Sequence, residues 1–334
     1  MWSRLIINLW LLVLLWVILQ TLFKCLVEVT SPHLCCLDGF MDAEQVNIRS
    51  RESQNTRRHF PDMCMSNPLM GDFASDWSLL HDASIHGRLV SLNKLINQGF
   101  SVNQITADHV SPLHEACLGG HPACVKLLLK HGAEVNIPNV DWKTPVFNAC
   151  VSGNVACVNL LLKHGASPNG ICDVASPIHE AARRGYSDCV ESLSLAGASV
   201  QQSISHLGSP LYMACENQKV DTAKKLLELG ASANVGKDLD TPLHMAARTS
   251  NADLVNLLID FGGDTQLKNA EGKRPSELVQ PNCPVNLVFN KREGPLSLKQ
   301  ICRLCIRKCF GQNQHHRMSE ILLPETLKCF LLYR

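Results

Sequence analysis

Aromatic side chains are scarce in this 334-residue chain, at 5%, and its formal net charge is only +1. The first shortage argues against a β-sandwich, whose strands draw on Tyr, Phe and Trp; with Leu and Ala abundant, helices are favoured. The second removes any global field that would attract or repel nucleic acid. There is no Asn-x-Ser/Thr acceptor, which favours a reducing, intracellular setting. Also missing are a Gly-rich phosphate loop followed by Lys, a G-x-S-x-G elbow and an H-E-x-x-H pair. Nothing therefore points to an enzyme, and no catalytic residue, cofactor or metal is expected.

What the chain does have is 16 cysteines. Most sit inside apolar helical patterns, as in "HEACLGG" and "PACVKLLLK", where a free thiol acts as a small hydrophobe. At the other extreme, Leu5 to Phe23 is an apolar run long enough to span a bilayer. A signal peptide lacks support because no small-residue cleavage site follows. A signal anchor would keep the N-terminus cytosolic and expose the thiols to oxidation. The favoured reading is an alternative-start extension, because Met41 opens the polar "MDAEQVN" and composition changes there. Residues 1–40 are thus a hydrophobic segment and 41–75 a polar arm. The expected location is cytoplasmic, with membrane association only through residues 5–23.

Beyond the arm the sequence repeats. The phrases Ser78-Leu-Leu-His, Ser111-Pro-Leu-His, Thr144-Pro-Val-Phe, Ser176-Pro-Ile-His, Ser209-Pro-Leu-Tyr and Thr241-Pro-Leu-His follow one another at steps of 33, 33, 32, 33 and 32. Gly99, Gly132, Gly165, Gly197, Gly230 and Gly262 keep the same beat. Ser or Thr caps a helix with Pro at its first position. An apolar second helix follows and Gly ends it in a left-handed conformation. The His is expected to bond the cap and neighbouring turns, a structural use. A partial seventh copy starts at Lys273-Arg-Pro-Ser-Glu-Leu. One helix pair cannot bury its apolar face alone; stacked pairs can.

After the polar break "NKREG" comes "PLSLKQICRLCIRKCF". Leu298, Cys302 and Ile306 lie four apart on one helical face. Cys302-x-x-Cys305, with Cys309 and His315, has zinc-like spacing. A continuous helix, however, leaves Cys302 and Cys305 about 60° apart in rotation, on one apolar face with Leu298. A docking helix is therefore favoured over a metal or redox site, and proline at Leu298 is expected to break it.

The T-P-L-H-x-A phrase at this spacing resembles the ankyrin repeat over residues 76–285. Residues 294–334 resemble a SOCS box: Leu298, Cys302 and Ile306 match its elongin-binding pattern. "LLPETLKCFLLYR" resembles the cullin-binding half, with Leu323, Pro324, Phe330 and Leu331, although Glu325-Thr326 stand where a second Pro is usual. The layout is that of the ankyrin repeat and SOCS box family. The resemblance implies an all-α ankyrin solenoid followed by a small helical SOCS box. It further implies a non-catalytic substrate receptor that recruits elongin B/C and a cullin of the cullin-5 class with a RING protein, leading to ubiquitination and degradation of the target. Creatine kinase is the implied target class. The competing reading is a membrane-tethered ankyrin scaffold with no ligase role.

Such arrays bind proteins through the concave face and the turn tips. Asp108-His109, Asp141-Trp142 and His206 stand at expected tips, and an exposed Trp is a typical anchor. Before the array, "PDMCMSNPLMGDFASDW" shows no helical or strand period. Its Met63, Leu69, Phe73 and Trp77 read either as part of a cap for repeat one or as an adaptable arm that enters a cleft on the target. The target-binding residues expected are Met63, Leu69, Phe73, Trp77, His109, Trp142 and His206.

Overall fold

The computed structural model describes residues 77–172, 175–280, 283–292, 298–310 and 324–332. All belong to one compact unit, Ala74–Arg334. The expected all-α solenoid is what the described residues form. Six helix pairs follow in order: α1 Leu79–Ile85 and α2 Leu89–Asn97, α3 Pro112–Leu118 and α4 Pro122–Lys130, α5 Pro145–Ser152 and α6 Val155–Lys163, α7 Pro177–Arg184 and α8 Ser187–Leu195, α9 Pro210–Glu216 and α10 Val220–Glu228, α11 Pro242–Arg248 and α12 Ala252–Asp260. The first helices of successive pairs stack on one another, and so do the second helices.

Local chemistry sets the boundaries. Ser111, Ser209 and Thr241 accept from the backbone N–H of His114, Tyr212 and His244, and Asn154 and Asn251 cap the second helices of their pairs in the same way. Each cap contributes about 1 kcal/mol. Gly132 ends α4 at φ +82°, with nothing near the place where a Cβ would stand, so glycine is used there for conformation rather than for space.

The core runs the length of the stack. The second residue after each capping Ser or Thr is buried: Leu80, Leu113, Val146, Ile178, Leu211 and Leu243. Full burial of such a side chain stabilises by about 1.5–3 kcal/mol. Six of the array cysteines share two register positions with Ala and Thr. Cys117, Cys150 and Cys215 fall on one, and Cys124, Cys157 and Cys189 on another; all are free and buried. Burial pushes the Cys189 thiol up to about 11 and Cys157 up to about 12, with Cys117 and Cys150 well above the usual value. They stay protonated and serve as packing.

The seventh copy, read from the sequence as partial, is short. Its first helix is only a 3-10 turn, Pro275–Leu278, and Val279 is already extended. Pro281 and Pro284 forbid a longer helix through this stretch. Helix α13, Pro284–Arg292, instead packs on α12 and buries Val285 and Phe289. Arg292 Nη1 donates to Asp260 Oδ1 at 2.5 Å. Two helices follow, α14 Leu298–Phe310 and α15 Glu325–Leu332, packed on each other.

Candidate functional site

Helix α14 is continuous over 13 residues, so Leu298, Cys302 and Ile306 occupy successive turns of one helix. Cys302, Cys305 and Ile306 are half-buried, and Ile301 is exposed. Leu304 points back to the array, where a Cβ added at Gly262 would lie 3.1 Å from its methyls. The neighbouring Arg303 guanidinium stacks 4.2 Å from the centre of the Phe330 ring. This ties the first SOCS-like helix to α15 by a cation–π contact.

Pro324 is exposed at the start of α15, and its carbonyl accepts from Leu327 N at 2.9 Å. Phe330 is half-buried. Leu331 is only 2% exposed, so in this structure it packs inside rather than offering a surface. The side chain of Leu298, and Leu323 altogether, lie outside the described residues. Among the described residues no three His, Cys, Asp or Glu converge as metal ligands; the Cys309 side chain and His315 lie outside them.

In the array, the phrase histidines form a ladder. His81, His114, His179 and His244 each place Nε2 3.0–3.1 Å from the carbonyl of the next turn, at Val110, Lys143, Gly208 and Lys273. Their Nδ1 atoms meet the capping hydroxyl of their own repeat. The expected structural role is thus observed. A second ladder has no counterpart in the sequence reading. Asn103, Asn136, Gln201 and Asn234 each donate to the carbonyl of the next helix-ending glycine and accept from the backbone two residues beyond it. The recurrent amide at one register position was the available signal.

Phe147 stands where the ladder wants His, and the buried Thr144 hydroxyl consequently has no partner. Tyr212 does the same in repeat five, where Ser209 Oγ donates to the Val235 carbonyl instead.

The turn tips carry the other sequence-predicted residues. Trp142 is 53% exposed at φ +62°, and His109 is exposed at φ +58°. Both fall two residues before a capping position, where Gly272 takes the same conformation at φ +73°. A bulky residue there is strained. Val140 N donates to Asp108 O at 3.1 Å, joining the two tips. His206 is exposed on its own turn. Trp77 is exposed just before α1, with its ring 5.5 Å from that of His81. Met63, Leu69 and Phe73 lie outside the described residues.

Between repeats two and four the first helices and turns enclose a cleft of about 470 Å³. Its lining includes Glu115, Leu118, Phe147, Glu180, Arg183 and Arg184. Arg183 donates to Glu180 through Nε at 2.9 Å and Nη2 at 2.7 Å, and Arg184 Nε adds a third bond. These bonds hold the Glu180 carboxyl below its usual range although burial pushes it up. Glu115 is 6% exposed, and burial pushes its carboxyl up with no cation among the described residues to oppose it.

Comparison with known proteins agrees with this layout. Residues 80–172 and 178–269 match the family described as "Ankyrin repeats (3 copies)", and residues 294–332 match "SOCS box". The chain is 61% identical over 293 residues to Ankyrin repeat and SOCS box protein 9 of Mus musculus, covering 88% of this chain and 100% of that protein. It is 54% identical over 265 residues to Ankyrin repeat and SOCS box protein 11 of the same species, covering 79% and 82%. Among solved structures, the human ASB11 ankyrin repeat domain superposes with a TM-score of 0.64 at 50% identity, covering 66% of this chain and 100% of that one. A SOCS box implies, in general, binding of elongin B/C and a cullin. Among the described residues no helix is long and apolar enough to cross a membrane; residues 5–23 lie outside them.

Proposed function

Because the chain belongs to the ankyrin repeat and SOCS box family, we propose that it is a non-catalytic substrate receptor of an elongin–cullin–SOCS-box ubiquitin ligase. The array holds the target, the SOCS box recruits elongin B/C and a cullin, and the target is ubiquitinated and degraded. The observation that carries this reading is α14: an uninterrupted helix with Leu298, Cys302 and Ile306 at four-residue spacing, following an ankyrin array in the same chain. The finer assignments are a cullin of the cullin-5 class with its RING protein, creatine kinase as target and a cytoplasmic location. They rest on the family resemblance. Elongin binding is assigned to Leu298, Cys302 and Ile306, and cullin binding to Leu323, Pro324 and Phe330. Leu331 supports α15 from within.

The test is co-expression of the full chain with elongins B and C. The double variant Cys302→Phe, Ile306→Pro should lose both elongins, since an interior proline costs about 3 kcal/mol and overpacking roughly 1–3 kcal/mol. Elongins recovered at wild-type level would refute the assignment. Target binding is assigned to the exposed tips His109, Trp142 and His206, to Trp77, and to the arm with Met63, Leu69 and Phe73. Deleting residues 61–73 should weaken creatine kinase binding at least tenfold, about 1.4 kcal/mol, with little change in melting. Early melting with normal residual binding would make the segment a cap.

A further inference from the structure

The internal repeat makes a comparison within one molecule. Four residues after the capping Ser or Thr, three repeats carry an acid: Asp82, Glu115 and Glu180. Asp82 is paired with Arg88 at 2.6 Å, and Glu180 with Arg183 and Arg184. At the positions equivalent to those two arginines, repeat two has Leu118 and Gly119. Glu115 is the most buried of the three acids and the one with no cation among the described residues. The other cations of the cleft are engaged, since Arg183 and Arg184 hold Glu180 and Lys143 Nζ lies 3.0 Å from Asp141. The walls beside Glu115 are apolar, with Leu118 and Val151, and aromatic, with Phe147 in place of the ladder histidine.

We propose that this cleft seats an arginine side chain of the target, its guanidinium received by Glu115 and its stem lying along Leu118 and Phe147. Repeat four shows the bonding that repeat two lacks, a fork of Nε and Nη2 on the two carboxylate oxygens. Such a fork suits arginine rather than lysine; Lys143 Nζ already lies 5.9 Å from the centre of the Phe147 ring, so Phe147 serves the arginine as an apolar wall for its stem. The half-exposed Leu118 leaves the entrance open. The inference deepens the receptor reading above and rests on it for the source of the arginine.

The test uses the full chain and two small probes, N-acetyl-arginine methylamide and its neutral isostere N-acetyl-citrulline methylamide, followed by NMR of the Val151 methyls. The arginine probe should bind at least tenfold tighter than the citrulline probe. Leu118→Arg supplies Glu115 with a cation at the spacing Arg183 uses toward Glu180, and should weaken the arginine probe at least tenfold. Glu115→Gln should do the same. Equal affinity for the two probes in the wild-type chain, or undiminished arginine binding by either folded variant, overturns the proposal. Elongin B/C co-purification is read in parallel. Lost arginine discrimination with elongins retained sinks the cleft alone. Retained discrimination without elongins supports the cleft and sinks the ligase reading.

Discussion

Replacing His114 by Phe, the residue that repeat three carries at this register, should weaken the fold at neutral pH and blunt its response to acid. His114 is fully buried. Its Nδ1 accepts from Ser111 N at 3.1 Å, so the ring proton sits on Nε2 and is donated to the Lys143 carbonyl at 3.1 Å. A second proton on Nδ1 would face the Ser111 N–H donor. Burial above all, with a smaller push from His81, takes the imidazole down from 6.5 to about 4, against the raising effect of its backbone hydrogen bonds.

The sign follows. Above pH 6.5 folded and unfolded states are both neutral at this site and titration contributes nothing. As pH falls, the unfolded chain takes up the proton first and stability is lost until pH nears 4. At about 1.36 kcal/mol per pH unit, the wild-type chain should lose about 2–3 kcal/mol through this residue by pH 4.5. Phenylalanine abolishes that loss, but it strands the Ser111 N–H and removes one of the two hydrogen bonds on the Lys143 carbonyl, which keeps the Asn139 N–H at 2.9 Å. The stranded N–H costs about 1–3 kcal/mol and the lost hydrogen bond about 0.5–1.5 kcal/mol. The variant should therefore be about 2–4 kcal/mol less stable at pH 7.5, with most of that gap closed at pH 4.5. Urea denaturation of the full chain by far-UV circular dichroism measures both gaps, provided the m-values agree. A gap that stays constant with pH would refute the buried neutral histidine.

Gly262→Ala and Gly132→Ala impose similar left-handed backbone strain, about 1–2 kcal/mol each. The first should lower the melting temperature further because its Cβ meets Leu304. In a Leu304→Ala background the two glycine variants should converge, and persistence of the difference would mean that α14 does not rest on Gly262. Trp142→Gly relieves strain of about 1 kcal/mol at φ +62°. Calorimetry should show unchanged or raised melting alongside at least tenfold weaker creatine kinase binding; lowered melting with full binding would make the indole a packing group.

Most of the solenoid was legible because its signals are local. Capping Ser or Thr, Pro at the first helical position and a left-handed Gly each act within one turn of chain, and their recurrence at 32 or 33 residues makes helix pairs the common reading. The histidine role was legible for a related reason: a strict repeat puts the same carbonyl 29 residues away each time. Where a feature depends on packing, local reading falls short. The phrase at Lys273-Arg-Pro-Ser-Glu-Leu marks a partial seventh copy, but the sequence does not say that a 3-10 turn forms there or that α13 then packs on α12. Leu298 reads as helix interior but is the first residue of α14, where proline is tolerated, so it is a poor place to break the helix. Leu331, assigned to the cullin-binding half by resemblance, is buried.

The difference between "HEACLGG" and "HEAARRG" stands in the sequence by itself, and so do two carboxylates at one register, one with arginines a turn away and one without. Only the tertiary structure decided that repeats two to four bring both carboxylates to one cleft, and that Phe147, Leu118 and Val151 wall it beside Glu115. The number of waters and charges around a carboxylate is set by which neighbouring repeats pack over it, and no single stretch of chain contains that information.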